Sequence, residues 1–296
     1  MLGTIKKVSY QNFSNRDFAT FDLITCCSFD NENSEVSSYL NRESVMSERY
    51  DGSYHNVSMY RYTERFEPTV SFLKKDFSDF TREQVREVLA WLTSASTPSY
   101  ANFYDDIYSE APVFCALGGW TDIQIRKISN GRVVGIIAKF SCVYPWALSP
   151  INTYKKTITG STKENPVKFE INCENDATSF IYPRITVKHK GTSVTITNTV
   201  IRPVTDFLTG ATANKTQVFT TAVHNSIANE TVTIDGANKQ IYSSRTDRTF
   251  GDDFSSDGIR DKWSWLPLVE GKNIIQVVGD CELEFMWRSV IKCGEF

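Results

Sequence analysis

Three histidines, two aspartate pairs and two closely spaced tryptophans are the residues of this chain whose types could carry chemistry. His55, His189 and His224 lie far apart, and none has a carboxylate or cysteine at a spacing that would hold a metal or orient a general base. His189 precedes Lys190-Gly191, a turn signal, and is expected to be solvated at the edge of that turn. Asp105-Asp106 and Asp252-Asp253 are the candidate carboxylate pairs, because carboxylates converging from distant strands can divide the acid and base roles of glycan cleavage. Their polar surroundings predict solvated turns instead. Trp263 and Trp265, beside Arg260 and Asp261, would offer a stacking platform for a sugar ring. The same W-S-W spacing puts both rings on one face of a strand, where they would serve equally as core.

No other pattern points to a reaction. There is no HExxH, no DxDxDG calcium loop, no phosphate-cradling glycine loop and no G-x-S-x-G elbow. Gly118-Gly119 is expected to be a tight turn before Trp120. No catalytic, cofactor-binding or metal-ligating residue is therefore assigned, no cofactor is expected, and the chain is expected not to be an enzyme.

The elements that would position any site are strands. Length, 296 residues, favours two domains over one core. Aromatics make up 13% of the chain, and flat rings suit pleated faces and protein interfaces alike. One segment has helical periodicity: in TREQVREVLAWLT, Thr81 and Gln84 form a capping box, and Val85, Val88, Leu89 and Leu92 share a face. This predicts a helix over about residues 82–93, lying against a sheet. Thr69–Leu73 is a short strand candidate. Asn130-Gly131 joins TDIQIRKI to RVVGIIAKFSCVYPW as a long hairpin, with Ile136, Ala138, Phe140, Cys142 and Tyr144 on one side.

Pro145 and Pro150 end that hairpin, and INTYKKTITGSTKENP has linker composition, so the domain boundary is placed between residues 150 and 151. Beyond it the alternation is β throughout, which predicts a sandwich. Arg184–His189 and Ser193–Thr197 are expected to pair as a second hairpin about Lys190-Gly191, and Thr231–Asp235 runs into Gly236 with Gln240–Ser243 returning. Two further strands meet at Gly279-Asp280. Asn31–Asp51, polar and serine-rich, is expected to be a long loop or an arm suited to a subunit contact.

Charge excludes some partners. The formal net charge is -3, with Lys and Arg interspersed among Asp and Glu, so tight nucleic-acid binding is not expected. No apolar run approaches the roughly 18 residues of a membrane span, so membrane insertion is not expected either. Cys26, Cys27, Cys115, Cys142, Cys173, Cys281 and Cys293 include no C-x-x-C pair, and the N-terminal residues carry no secretory pattern. Reduced, mostly buried thiols of a protein made in a cytoplasm are expected.

In order along the chain, these elements resemble the distal tail protein (Dit) family of tailed bacteriophages. In the first half the likeness rests on Val70 and Phe72, the helix with Arg86, Leu89, Ala90, Trp91 and Leu92, and Tyr104-Asp105-Asp106. The Asn130-Gly131 hairpin then closes on Phe140, Cys142, Tyr144-Pro145-Trp146. In the second half it rests on Tyr182-Pro183-Arg184 and Gly191. Leu268, Gly271, Asn273, Ile275 and Gly279 follow, before the closing Leu283, Phe285, Trp287-Arg288. Residues 1–60 match least. The resemblance implies a mainly β fold of two sandwich-like domains. Residues 1–150 would be a ring-forming domain with the helix, and residues 151–296 a galectin-like sandwich without the His-x-Asn-x-Arg sugar site of true galectins.

What the resemblance implies for function is mechanical. Such subunits form a homo-hexameric ring between the tail tube protein and the tail-tip hub or baseplate, through which DNA passes. Their C-terminal domains face outward and can hold receptor-binding proteins for host attachment. The place of work would be the virion tail tip, after synthesis in the host cytoplasm. Another tail-tip or baseplate protein, a carbohydrate-binding module and a glycan-cleaving enzyme remain the rival readings.

Overall fold

The computed structural model describes residues 7–10, 23–26, 42–48, 55–62, 64–105, 110–177, 180–205, 209–251, 253–255 and 265–292. The chain divides into two compact units, one of residues up to Pro150 together with Val290 onward, the other Ile151–Ser289. The second unit is thus inserted into the first.

In the first unit the strands are β1 (Lys7–Tyr10), β2 (Leu23–Cys26), β3 (Arg42–Glu48), β4 (His55–Tyr62) and β5 (Thr69–Lys74). Helix α1 (Arg82–Thr93) follows, then β6 (Ser99–Tyr104), β7 (Phe114–Lys127), β8 (Val133–Cys142) and β9 (Ala147–Leu148). One eight-stranded sheet runs β1-β6-β7-β8-β5-β2, with β9 on β7 and the strand Val290–Ile291 on β9. The pairing of β3 with β4 makes a separate two-stranded sheet, so part of the expected Asn31–Asp51 loop is strand; Arg42–Glu48 is zipped to His55–Tyr62. The rest of that stretch lies outside the described residues.

The helix forms where the periodicity places it. Thr81 Oγ1 accepts the amide of Gln84 at 3.2 Å, and the Gln84 side chain accepts the Thr81 amide at 3.0 Å, so two of the donors left over at a helix start are satisfied. Its buried face, Val85, Val88, Trp91 and Leu92, meets the sheet, where Phe72 stands edge-on to Trp91 with centroids 6.2 Å apart. Around them Phe103 stacks on Phe114 at 4.4 Å, and Phe140 meets Trp120 edge-on at 5.1 Å. The turn at Asn130-Gly131 is present, with Gly131 at φ 81°. Tyr144, expected on the buried side of the hairpin, lies beyond the end of β8 and is exposed.

Gly118-Gly119 is not a turn; both residues sit inside β7. A Cβ on Gly118 would stand 2.1 Å from the Ser141 carbonyl oxygen, so glycine is needed for close approach of β8 and not for a bend.

The second unit comprises β10 (Asn152–Ile158), β11 (Val167–Cys173), β12 (Arg184–His189), β13 (Val194–Thr205), β14 (Thr212–Val223), β15 (Thr231–Asp235), β16 (Gln240–Ser243), β17 (Phe254–Ser255), β18 (Gly271–Val278) and β19 (Cys281–Trp287). The last strand, Val290–Ile291, is β20. Two five-stranded antiparallel sheets, β10-β19-β12-β15-β16 and β11-β18-β13-β14-β17, bury their inner faces against one core. Ile185, Val187 and Phe285 come from the first sheet; Ile171, Ile196 and Val277 from the second.

Two expectations fail here for one reason: strand pairing is not set by chain adjacency. The linker-like INTYKKT is β10, an edge strand whose Tyr154 and Ile158 face inward while Lys155 faces out. The expected hairpin about Lys190-Gly191 is instead a crossover, with β12 in one sheet and β13 in the other. Gly191 lacks the positive φ that a tight hairpin needs, and Lys190 donates its amide to the Asp280 carbonyl at 3.0 Å. The matching crossover from β18 to β19 turns at Gly279, φ 101°, where a Cβ would lie 2.2 Å from the Ser193 carbonyl oxygen.

Candidate functional site

His189, expected to be solvated, is fully buried, because it ends a strand that crosses between sheets rather than one that turns back into solvent. Its Nε2 lies 3.2 Å from Ser226 Oγ. Burial pushes the imidazole down to about 4, against the opposing pull of Glu230, so the ring is neutral. Beside it the buried Glu230 carboxylate accepts Ser243 Oγ at 2.7 Å and the Ile227 amide at 3.1 Å. Arg248 and Arg245 reach it at 3.4 and 3.7 Å. Burial alone would raise the Glu230 carboxyl; the bonds from Ser243 and Ile227 and the two guanidiniums reverse that and hold it below its usual range. Arg248 also donates to the carbonyls of His224 and Asn225 and pairs with Asp253 at 3.5 Å. The arrangement ties loops together. It presents no exposed acid and base to a substrate.

The remaining sequence candidates do not converge. Asp105 is exposed on a bend after β6, and Asp106 lies outside the described residues. Asp253 is engaged by Asn225 and Arg248, while Asp252 lies outside. His224 Nδ1 stands 3.4 Å from Ser193 Oγ; the side chain of His55 is not among those described. Trp265 packs half-buried on the core with Phe254 at 5.3 Å, and Lys239 stands over its ring at 5.3 Å and over Tyr182 at 3.3 Å. Trp263, Arg260 and Asp261 lie outside the described residues. Cys115, Cys142, Cys173 and Cys281 are buried free thiols, whereas Cys27, Cys293 and the side chain of Cys26 are outside. Among the described residues no group of three or more His, Cys, Asp or Glu is placed to hold a metal, and no helix is long and apolar enough to cross a membrane.

The second unit also presents the outward faces of its two sheets. On the first sheet the register aligns three rows across β10, β19 and β12: Thr157–Glu282–Lys188, Lys155–Glu284–Thr186 and Thr153–Met286–Arg184. Five of these nine positions are charged and none is aromatic. The charges are matched in place, Lys155 to Glu284 at 2.9 Å, Lys188 and Lys190 to Glu282 at 3.5 Å, Arg184 to Asp235 at 3.0 Å. Lys155, Lys188, Glu282 and Glu284 line an open depression of about 310 Å³ with no ring for a sugar to stack on. On the second sheet the three rows across β18, β13 and β14 are Val278–Thr195–Ala222, Gln276–Thr197–Thr220 and Ile274–Thr199–Val218. None of these nine positions is charged, but the edge strand β11 continues two of the rows with Lys168 beside Gln276 and Glu170 beside Ile274, and Glu170 pairs with Lys272 at 2.6 Å. The alternation V-T-I-T-N-T-V-I from Val194 to Ile201 carries the signal, but its outward face is known only once β13 is placed in its sheet.

Residues 6–143 match the family model described as a phage tail protein N-terminal domain, and residues 152–287 match that of a phage tail C-terminal domain. The chain belongs to this phage tail protein family. Among solved structures, the tail protein is similar to the Dit protein of phage SPP1, described as a paradigm of the hub adsorption apparatus in phages infecting Gram-positive hosts. The likeness spans 96% of this chain and 99% of that one at 15% identity, with a TM-score of 0.55. The fold of the tail protein is therefore the Dit fold. Chains of the phage P2 baseplate in its activated conformation are also similar, at 9 and 11% identity with TM-scores of 0.47 and 0.48; each likeness covers 98% of this chain and 99% of that one. A search of the curated proteins finds no sequence match.

Proposed function

We propose that this tail protein is the subunit of a hexameric distal tail ring, which joins the tail tube to the tip hub or baseplate and lets DNA through at ejection. The observation that carries this reading is the end-to-end likeness to SPP1 Dit together with two tail-domain matches in the same order. In this reading the first unit makes the ring. The second projects outward as a platform for host-adhesion proteins, and the subunit, made in the host cytoplasm, runs no reaction. A formal net charge of -3 with interspersed signs suits a lumen past which DNA must slide without being gripped. A sugar-binding role draws no support from the charged, ring-free outer face of β10-β19-β12.

Light scattering and negative-stain microscopy of the purified chain at high concentration test the proposal. A six-fold ring with a central opening is expected. A monodisperse monomer under those conditions would overturn it.

A further inference from the structure

Large apolar side chains that stand exposed among the described residues of the first unit fall into two groups, Phe77, Ile125 and Ile128 in one, Val143 and Tyr144 in the other. The first group sits where β5 ends beside the turn of the β7–β8 hairpin. There the Phe80 amide donates to the Val133 carbonyl at 2.8 Å, and Asp79 pairs with Arg132 at 2.6 Å. The second group lies at the far end of β8. Tyr144 is parallel to Trp146 with centroids 6.2 Å apart, and Tyr62 stands edge-on to Trp146 at 5.4 Å. The ten residues of β8 separate the groups by about 30 Å, close to the roughly 40 Å diameter of a domain this size. They therefore stand at opposite sides of the unit. Phe77 is the most exposed of the five, at 76%, and its backbone lies in the left-handed region at φ 56°, which a bulky residue rarely adopts. Local bonds impose it: the Phe77 amide donates to the Lys74 carbonyl at 3.0 Å, and the Ser78 amide and hydroxyl donate to Asp76 at 3.0 and 2.7 Å. A phenyl group both strained and left in water brings the isolated chain no stability. Such residues persist where a contact uses them.

We infer that the Phe77 turn of one copy docks on the Tyr144–Trp146 pair of the next copy around the hexamer. The inference rests on the ring reading above and names the two surfaces that close it. A cyclic ring is built head to tail, so each subunit must show two unlike surfaces on opposite sides, each fitting the other. The two groups meet that requirement in position and in shape. Phe77 is a single phenyl group on an exposed turn. Tyr144, Trp146 and Tyr62 form a broader aromatic surface, on which a phenyl group packs offset or edge-on. Exposed charges of both signs rim each group, Lys75, Asp76 and Arg132 at one and Glu64 and Arg65 at the other, as at the margin of an interface. The spacing fits as well. Six steps of about 30 Å close at a radius of about 30 Å, and subtracting a domain radius of about 20 Å leaves an axial opening.

Assembly and cross-linking of the purified full chain test this. Phe77→Gly removes the phenyl group and suits the left-handed backbone, so its melting temperature should hold within a few degrees of the natural chain. Its half-assembly concentration, read by light scattering, should rise at least tenfold, and Phe77→Tyr should restore it. Phe77→Cys and Tyr144→Cys chains, each alone and mixed one to one above their own assembly concentrations, are then treated with a short bismaleimide, with the natural chain as background. Cross-linked dimers are expected from the mixture only. Assembly of Phe77→Gly at an unchanged concentration, or mixed rings without a cross-link, would overturn the inference and leave both ends to other virion proteins. Cross-linking of Phe77→Cys by itself overturns it too, since like ends would then meet across a two-fold axis. A natural chain that stays monomeric overturns the ring reading, and this inference with it, before any variant is made.

Discussion

Between β1 and β9 the core is made of rings, whereas between β10 and β19 it is made of branched aliphatics threaded with bonded polar groups. Phe72, Phe103, Phe114, Phe140, Trp91 and Trp120 interlock edge-on or stacked in the first unit. Every buried polar residue among those described, from Ser161 to Ser289, lies in the second. Rings gain from area and contact and tolerate small shifts, while hydrogen bonds are directional and fail when one partner is removed. The first unit is therefore held by bulk. The second is held by geometry, and among the described residues it alone buries a histidine, which makes its cohesion sensitive to pH between the carboxylate range and neutrality.

The strongest way to break this comparison is a pair of truncations. Phe103→Ala should cost the first unit about 4 kcal/mol through a cavity beside Phe114 and Phe140. Asn273→Ala should cost the second about 3 kcal/mol, because it strips the Val269 amide and the carbonyls of Val269 and Gly271 of their partner and leaves buried groups unmet. Calorimetry should show each variant lowering a different unfolding transition. A single transition lowered alike by both would mean the units do not unfold separately.

A titration sharpens the contrast. His189 folds with its pKa depressed to about 4 from 6.5, so between those values the unfolded chain binds the extra proton and stability falls as pH falls. The second unit should lose up to about 3 kcal/mol from pH 6.5 down to 4, with little further loss from this group below that. Glu67 in the first unit and Glu230 and Asp235 in the second have depressed carboxyls, whose contribution is lost progressively as pH falls through the ordinary carboxylate values toward their lowered ones. Thermal melts from pH 6.5 down to about 5 should therefore move the second transition alone, and His189→Gln should flatten the slope. A first transition that moved equally would contradict the assignment.

The smallest effect tests local order. Thr81→Ala removes one half of the capping box and should destabilise the first unit by about 1 kcal/mol, without touching the second. Thr81→Ser should restore most of the loss in the same melts.

Local features were legible in the sequence, and pairings were not. The helix at Arg82–Thr93 and the turn at Gly131 could be read because a capping box and an Asn-Gly dipeptide state their geometry within four residues. The inward alternation of β8 was legible as well, since Ile136, Ala138, Phe140 and Cys142 repeat at period two. By contrast, the burial of His189 depends on β12 and β13 parting into different sheets, and Gly118 depends on the Ser141 carbonyl of the neighbouring strand. Neither fact is written near the residue it governs. Tyr154 and Ile158 did alternate inside the supposed linker, but the polar residues between them matched linker composition equally well. The outer face of the second sheet was hidden for the same reason: its rows join the hairpin of β13 and β14 to β18, a strand from much later in the chain.

β9 and β20 pair through Leu148 with Val290 and Ala147 with Ile291, so the second unit leaves and rejoins the first across adjacent antiparallel strands. That pairing sets the exit and return points of the first unit about 5 Å apart. A module spliced in at such a seam needs only neighbouring termini of its own. Exchange by recombination can then replace the whole second unit, while the sheet that receives it keeps every one of its strands.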